Sequence, residues 1–595
     1  MTDPGLLKNP LWYYIKKFRK SFGLGMFFLV ITNILDGIYP LFLAMIIDRV
    51  AAHLGFTSLW GPLAAFFATM AGLAVSRYLW RVHFGNYHTH AAEDLRNHLM
   101  AHLLKLTPRF YQKNQLGELM SLIVNDVQSF RQSIGSAILI LVDGAVIIVV
   151  ILPLMIMMSW EWTWKTLIFL PLVPFMIKSL MNAIYRKSKE VQDNLSVLSG
   201  YAQETVTGVR VLKGFAVENE RSRDYAKLSR TYQNSNVELA LIDSLWSPVM
   251  YFGVASGTVI LLFIGLDDVM NGAVTLGTLV AFQRYISKMI WPVTALGLGL
   301  SQYKKGMAAF DRIKAVLLEK PDVEFRGGSD TMEFSGLTVR DLNFTYPGSA
   351  EPALRNVNLQ LQPGEKIGIT GPVGSGKSTL LHLLLGFYHL PPGQITVNDR
   401  DLFDWDEEKL RALFTLIPQD VFLFSDTVRA NIRYALPENH PPQAAGEIDL
   451  AEHILDRVQI LDEMRALPGG LEATLGERGI NLSGGQKQRL ALARGLVRPT
   501  SLILMDDVLS AVDFKTEEKI LNELARMKTS CLIVSHRIAA LKHCDRILVL
   551  NGGRVEALGR FDDVLAQSPF FKELYEIQGG PLPNEDGAPT KGGPR

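Results

Sequence analysis

The stretch "KIGITGPVGSGKSTLLHLLLG", residues 366–386, decides the architecture of the C-terminal half. "KIGIT" reads as a short buried strand, and "LLHLLLG" has the apolar density of a helix. Between them, "GPVGSGKST" (371–379) spaces its glycines, lysine and serine as G-x-x-x-x-G-K-S, in the strand–loop–helix setting of a phosphate-binding loop. Gly371, Gly374 and Gly376 let the backbone wrap close to phosphate, and Ser375 and Thr379 belong to the same binding set. The loop N–H groups and the helix N-terminus supply partial positive charge, and Lys377 reaches the outer phosphates. Ser378 offers its hydroxyl to Mg²⁺. An incidental Gly-rich turn is the competing reading, and the flanking strand and helix patterns disfavour it.

Further along, "SLILMD" (501–506) is a buried-strand pattern ending in Asp506, a carboxylate that can meet the Mg²⁺ shell. Between the two lies "NLSGGQKQR" (481–489), opening the helical "QKQRLALARGL". Leu482, Ser483, Gly484, Gly485 and Gln486 make it a second phosphate-binding element within one nucleotide domain. One nucleotide cannot easily use both in the same chain, so this element is expected to face a nucleotide held by another subunit. Strands, helices and Gly/Pro turns alternate over 333–578, giving an α/β domain with a linker at 321–332 before it and a Gly/Pro-rich tail at 579–595, expected to be disordered.

The first 320 residues are of another kind. The 595-residue chain is 48% hydrophobic, high for a purely soluble protein. Six apolar segments, 23–47, 59–82, 136–158, 163–184, 246–266 and 276–300, approach or exceed the roughly 20 residues that a helix needs to cross the hydrocarbon core. Lys16, Lys17, Arg19 and Lys20 precede the first segment and "YRKSKE" follows the fourth, so the positive-inside bias puts both termini in the cytoplasm of a cell-membrane protein. The polar stretches 83–135 and 185–245 read as cytoplasmic extensions of the membrane helices, and "NPLWYYIKKFRKSF" as a short interfacial helix. No cleavable-signal pattern is present.

A formal net charge of +1 gives no reason to expect a nucleic-acid partner. Cys531 and Cys544 are too few for a disulfide framework and fit a reducing cytosol; with His536 and His543 their spacing matches no zinc pattern.

Taken together, these motifs resemble the ABC transporter superfamily, in particular an exporter-type half-transporter of the multidrug and lipid exporter group. The resemblance implies a six-helix membrane domain followed by a P-loop nucleotide-binding domain with a helical subdomain, with ATP and Mg²⁺ as ligands. It implies that Tyr346 in "FTYPG" stacks on adenine, with core packing as the alternative, and that Gln419 in "LIPQD" links Mg²⁺ to the membrane domain. Glu477 in "GERG" and the loop "SAVD" (510–513) match elements that touch the coupling helices and the dimer partner. His536 in "VSHR" resembles the histidine that contacts the γ-phosphate and positions the attacking water. Two coupling helices are expected near 125–132 and 217–225, the latter docking on the partner's nucleotide domain; solvated charged helices are the alternative.

One position departs from the family. After the magnesium-associated aspartate the usual residue is glutamate, the general base, and here it is Asp507. A base must lie within about 2.6–3.2 Å of the proton it takes. A side chain shorter by one C–C bond is therefore expected to bind ATP tightly and cleave it slowly. Because "LSGGQ" is intact, the favoured assembly is a heterodimer whose partner supplies the glutamate. A homodimer in which Asp507 works adequately, and an ATP-sensing regulatory subunit, are the alternatives. The cargo class implied is hydrophobic or amphipathic, such as drugs, lipids or peptides. Within the membrane segments Asp36, Asp143, Arg284 and Lys288 are the ionisable candidates. Asp36 and Lys288 fall at similar depth and either pair or line a cavity.

Overall fold

A computed structural model describes residues 4–168, 172–327, 333–436 and 449–579. Part of the expected linker (328–332) and nearly all of the expected tail (580–595) lie outside the described residues. Contacts divide the chain into two compact units, Met1–Lys105 with Asn114–Glu319, and Leu106–Lys113 with Lys320–Arg595.

The first unit is helical. Among the described residues four helical stretches are long and apolar enough to cross a membrane: Arg19–Ala51, Phe56–Leu103, Leu116–Met158 and Glu218–Met270. Two of the six expected segments are not among them, for identifiable reasons. The segment 163–184 runs through residues 169–171, outside the described residues, and the segment 276–300 is shared by two helices, Leu276–Lys288 and Ile290–Leu318, the first of which carries Arg284 and Lys288. The expected helical extensions are present: Trp60–Leu103 alone is 44 residues, about 66 Å at 1.5 Å per residue, more than twice the hydrocarbon thickness.

These helices pack through small residues and polar ties, as expected where lipid removes the hydrophobic drive between helices. A side chain at Gly277 would lie 2.2 Å from the Ala44 carbonyl oxygen, and the Gly277 N–H donates to Asp48 at 2.7 Å. Thr32 bonds Ser76 at 3.0 Å, and the Tyr285 hydroxyl donates to the Gly37 carbonyl at 2.7 Å. Near the N-terminus, Asn9 caps the helix Pro10–Lys17, which buries Tyr14 beside Phe130 and leaves Trp12 exposed.

The coupling-helix placement needs correction. Residues 125–132 lie in a helical run continuous from Leu116 to Met158, with Val127 and Phe130 fully buried and Asp126 gripped by Arg312 at 2.6 and 2.9 Å. Asp126 is thus held internally, while Asn125 and Gln132 of the same stretch are exposed. Residues 217–225 likewise open the long helix Glu218–Asp243. The short separate helices nearby are Pro108–Lys113 and Val209–Phe215.

The second unit holds two sheets. Strands β1 (Leu337–Phe344), β2 (Leu354–Leu361), β4 (Ile395–Val397) and β5 (Arg400–Asp401) form an antiparallel sheet ordered β2-β1-β4-β5. Strands β3 (Lys366–Thr370), β6 (Phe414–Ile417), β7 (Leu502–Asp506), β8 (Ser530–Val534), β9 (Arg546–Asn551) and β10 (Arg554–Gly559) form the other, ordered β10-β9-β3-β8-β7-β6 and parallel except for β10. Because successive strand residues point to opposite faces, the parallel sheet has two cores. Leu502, Leu504, Leu532 and Val534 join the cluster that contains Leu380, Leu381, Leu383 and Leu384 of the helix after the phosphate loop. Ile503, Met505, Cys531 and Ile533 join the opposite cluster, which contains Leu482 and Leu490–Ala493. The two phosphate-binding elements therefore cover opposite faces of one sheet.

Candidate nucleotide site

The parallel sheet gathers the expected site at one edge. Register pairs Ile369 with Val534, Asp506 with Val534, and Ile417 with Met505, so β3, β8, β7 and β6 end together. The segments leaving those ends carry, in spatial order, the phosphate loop, His536, Asp507 and Gln419. This is the carboxyl edge where open α/β sheets place their ligands.

The phosphate loop needs glycine for reasons visible atom by atom. Gly371 has φ +147°, and a Cβ there would lie 1.9 Å from the Leu550 carbonyl oxygen; Gly376 has φ +99° with Ala353 O 2.7 Å from such a Cβ. Lys377, the first residue of the helix Lys377–Leu384, donates from Nζ to the carbonyls of Gly371 (2.9 Å) and Pro372 (2.8 Å) and to Ser375 Oγ (3.4 Å). Burial pulls its pKa below the usual lysine value, opposed by Asp506 and Asp507. The Ser378 hydroxyl takes no partner among the described residues, and space opens beside Gly374. Thr379 bonds the Tyr346 hydroxyl at 2.9 Å; Tyr346 is half-buried, edge-on to Phe344 and Tyr388.

Asp506 is buried at the end of β7, and Asp507 follows in a left-handed conformation, φ +48°. The Asp507 N–H donates to the Val534 carbonyl at 3.0 Å, tying it to β8. Burial, reinforced by Asp506, holds the Asp507 carboxyl above the usual carboxylate range, with His536, Arg537 and Lys377 opposing. Burial and the Lys377 charge push His536 below the usual histidine value, with Asp507 and Asp506 opposing. Gln419 is exposed just beyond β6.

Among the described residues no three His, Cys, Asp or Glu side chains gather as a metal centre. Ser378 and Asp506 beside an open phosphate cradle fit Mg²⁺, which takes few protein ligands and completes its shell with phosphate oxygens and water. That ion would supply positive charge against the phosphates. Cys531 and Cys544 are free, with burial pushing both thiols to about 12, so neither offers a thiolate to a metal.

At the second element, Ser483 caps the helix Gly484–Leu496 in a reciprocal box: its Oγ accepts from Gln486 N (3.3 Å) and Gln486 Oε1 accepts from Ser483 N (2.8 Å). Ser483 and Gly484 are exposed. The Leu482 side chain is buried in the apolar core and its N–H donates to the Gly479 carbonyl, so it supports the loop from beneath.

Three ties were missed from sequence. Gln488 Nε2 donates to Ser510 Oγ (3.0 Å) and Gln488 Oε1 accepts from Ala511 N (2.8 Å), joining this helix to the "SAVD" loop. Arg537 donates to the carbonyls of Ser510 (2.7 Å) and Val512 (3.0 Å) and pairs with buried Glu517. Gln578 holds the backbone around His536. The only advance signal was the polarity of Gln488 and Arg537 inside motif-bearing segments.

Comparison with known proteins matches residues 22–293 to the ABC transporter transmembrane region and residues 354–510 to the ABC transporter family. The chain is 33% identical over 575 residues to the multidrug resistance-like ATP-binding protein MdlA of Escherichia coli (strain K12), covering 95% of each chain. It is 32% identical to the probable multidrug resistance ABC transporter ATP-binding/permease protein YheI of Bacillus subtilis (strain 168), covering 96% of this chain and 97% of that one. It is 29% identical to the ATP-dependent lipid A-core flippase of Dechloromonas aromatica (strain RCB), covering 95% and 96%. Among solved structures, a bacterial Atm1-family ABC exporter with ATP bound shares the fold, with a TM-score of 0.73 at 21% identity over 95% of this chain and 99% of that one.

Proposed function

The chain belongs to the ABC transporters, as a multi-pass half-transporter of the exporter type, and from that premise we propose that it moves hydrophobic or amphipathic cargo as the slow-site half of a heterodimer. The names of its relatives, multidrug resistance proteins and a lipid flippase, support drug-like or lipid-like cargo. The Lys/Arg-rich segment 16–20 supports cytoplasmic termini in a cell membrane.

The observation that carries the slow-site reading is Asp507 beside an otherwise complete phosphate loop. Lys377 holds outer phosphates, His536 hydrogen-bonds at the terminal phosphate and water, and Asp507 takes the water's proton. Its N–H is tied to Val534, so the backbone does not advance to make up the missing methylene. Misplacement by 1 Å costs on the order of 10²-fold in rate, about 2.7 kcal/mol of barrier. ATP binding survives, because Lys377, Ser378 and Asp506 are in place.

The opposite-face arrangement supports the two-subunit reading. An exposed Ser483–Gly484 helix start cannot close on the nucleotide held across its own sheet, so it completes a partner's site, and the partner's counterpart completes this one. Closure on ATP turns the cavity outward, and hydrolysis releases it. Co-purification with a half-transporter that carries glutamate after its magnesium-associated aspartate tests the assembly. In that complex, with the partner's glutamate replaced by glutamine, Asp507→Glu should raise ATP cleavage by up to about 10²-fold; no rise would refute the short-reach argument.

A further inference from the structure

His536 leaves the end of β8, and its imidazole has no hydrogen bond among the described residues, so its position rests on its backbone. Beside Ser535 Oγ, which accepts the Arg537 N–H at 3.0 Å, that backbone is held by a side chain from the far end of the chain. Gln578 Nε2 donates to the His536 carbonyl oxygen at 2.7 Å, and Gln578 Oε1 accepts the Ile538 N–H at 2.9 Å. A single planar amide thus grips the chain on both sides of Arg537, fixing orientation as well as distance, which one hydrogen bond does not do.

The reach of that amide is itself set by packing. Gln578 follows the helix Pro569–Ile577, whose first turn is capped by Ser568 (Oγ accepts from Phe571 N at 3.1 Å). Fully buried Phe571 shares an apolar cluster with Ile538, Leu541, Ile547 and Val564. The helix and the loop it holds are therefore registered against the same core. From the other side, Arg537 binds the carbonyls of Ser510 and Val512. The loop is suspended between the "SAVD" turn and the C-terminal helix.

We propose that Gln578 is a positioning residue that sets the place of His536 at the terminal phosphate. The inference rests on the role given to His536 in the proposed function. Gln578 is exposed and lies outside the apolar cluster that docks its helix, so its replacement leaves that packing in place. Its loss should therefore move kcat with little change in stability.

The test uses the full-length chain in the proposed heterodimer, with the partner's glutamate replaced by glutamine and this chain in the Asp507→Glu background, so that ATP cleavage read in single turnover reports this site alone. Gln578→Ala and the length-preserving Gln578→Met should each lower the cleavage rate on the order of tenfold, within the roughly 10²-fold that a 1 Å displacement costs. The KM for ATP and the melting midpoint should hold, and neither variant should add to the loss in His536→Ala. Full activity in Gln578→Met, or an undiminished further loss in His536→Ala, would overturn the inference alone. Full activity in His536→Ala would overturn the role of His536 and the inference with it.

Discussion

Asp507 combines three disfavoured circumstances: a left-handed backbone, partial burial and a neighbouring carboxylate in Asp506. Its folded-state pKa is raised, so ionised Asp507 weakens the folded state above that pKa. The penalty disappears as pH falls through it. Asp507→Asn should accordingly raise the melting temperature of the nucleotide-free protein at pH 7.5, with the gain shrinking on acidification into the carboxylate range. A gain independent of pH would point to side-chain shape instead. The loop glycines, Lys377 and the paired aspartates were legible in the sequence because their chemistry is set by near neighbours. Gln488, Arg537 and Gln578 were not, because an amide or guanidinium acquires its meaning only when tertiary packing brings a loop distant in sequence within reach.

At the level of elements, the membrane helices show the same division. Their apolar length is a local property, so Arg19–Ala51 and Trp60–Leu103 could be anticipated, whereas the break between Lys288 and Ile290 could not. The question of Asp36 resolves toward pairing: Lys288 bonds one of its oxygens, Arg77 the other at 3.3 Å, and the Lys288 ammonium lies 4.8 Å from the Tyr39 ring. Asp143 instead accepts from Asn33 (2.9 Å) and Trp291 (2.7 Å). Lys288 and Asp36 are each partly buried, so removing one partner leaves a less well compensated charge and costs more than removing both. Lys288→Met should therefore lower the yield of folded protein, and Asp36→Asn in the same chain should restore much of it; a double variant as poor as the single would argue against this pair. The helix Val209–Phe215 leaves Val211 and Phe215 exposed, at 62% and 77%, an apolar surface in want of a partner. If that surface relays cargo binding to the nucleotide unit, Phe215→Ala should leave basal ATPase intact and remove most of its stimulation by cargo, and unchanged stimulation would place the relay elsewhere.

For the whole molecule, the sequence sufficed to divide lipid-embedded helices from an α/β nucleotide domain, because composition and period change together near residue 320. It did not reveal that the division is discontinuous. Leu106–Lys113 clusters with the C-terminal unit, where Gln112 accepts from the buried Tyr388 hydroxyl at 3.2 Å and Arg109 pairs with Asp322 at 3.1 Å. Eight residues decoded before most of the membrane helices thus complete a unit decoded after them. The nucleotide unit cannot begin to assemble around that segment until the ribosome has passed residue 320, although part of it has existed since residue 113, and a gene fusion that exchanges only the sequence downstream of 320 severs it. A chimera that carries 106–113 along with the exchanged cassette should melt higher and retain more cargo-stimulated ATPase than one cut at 320 alone; equal behaviour would show the segment to be interchangeable.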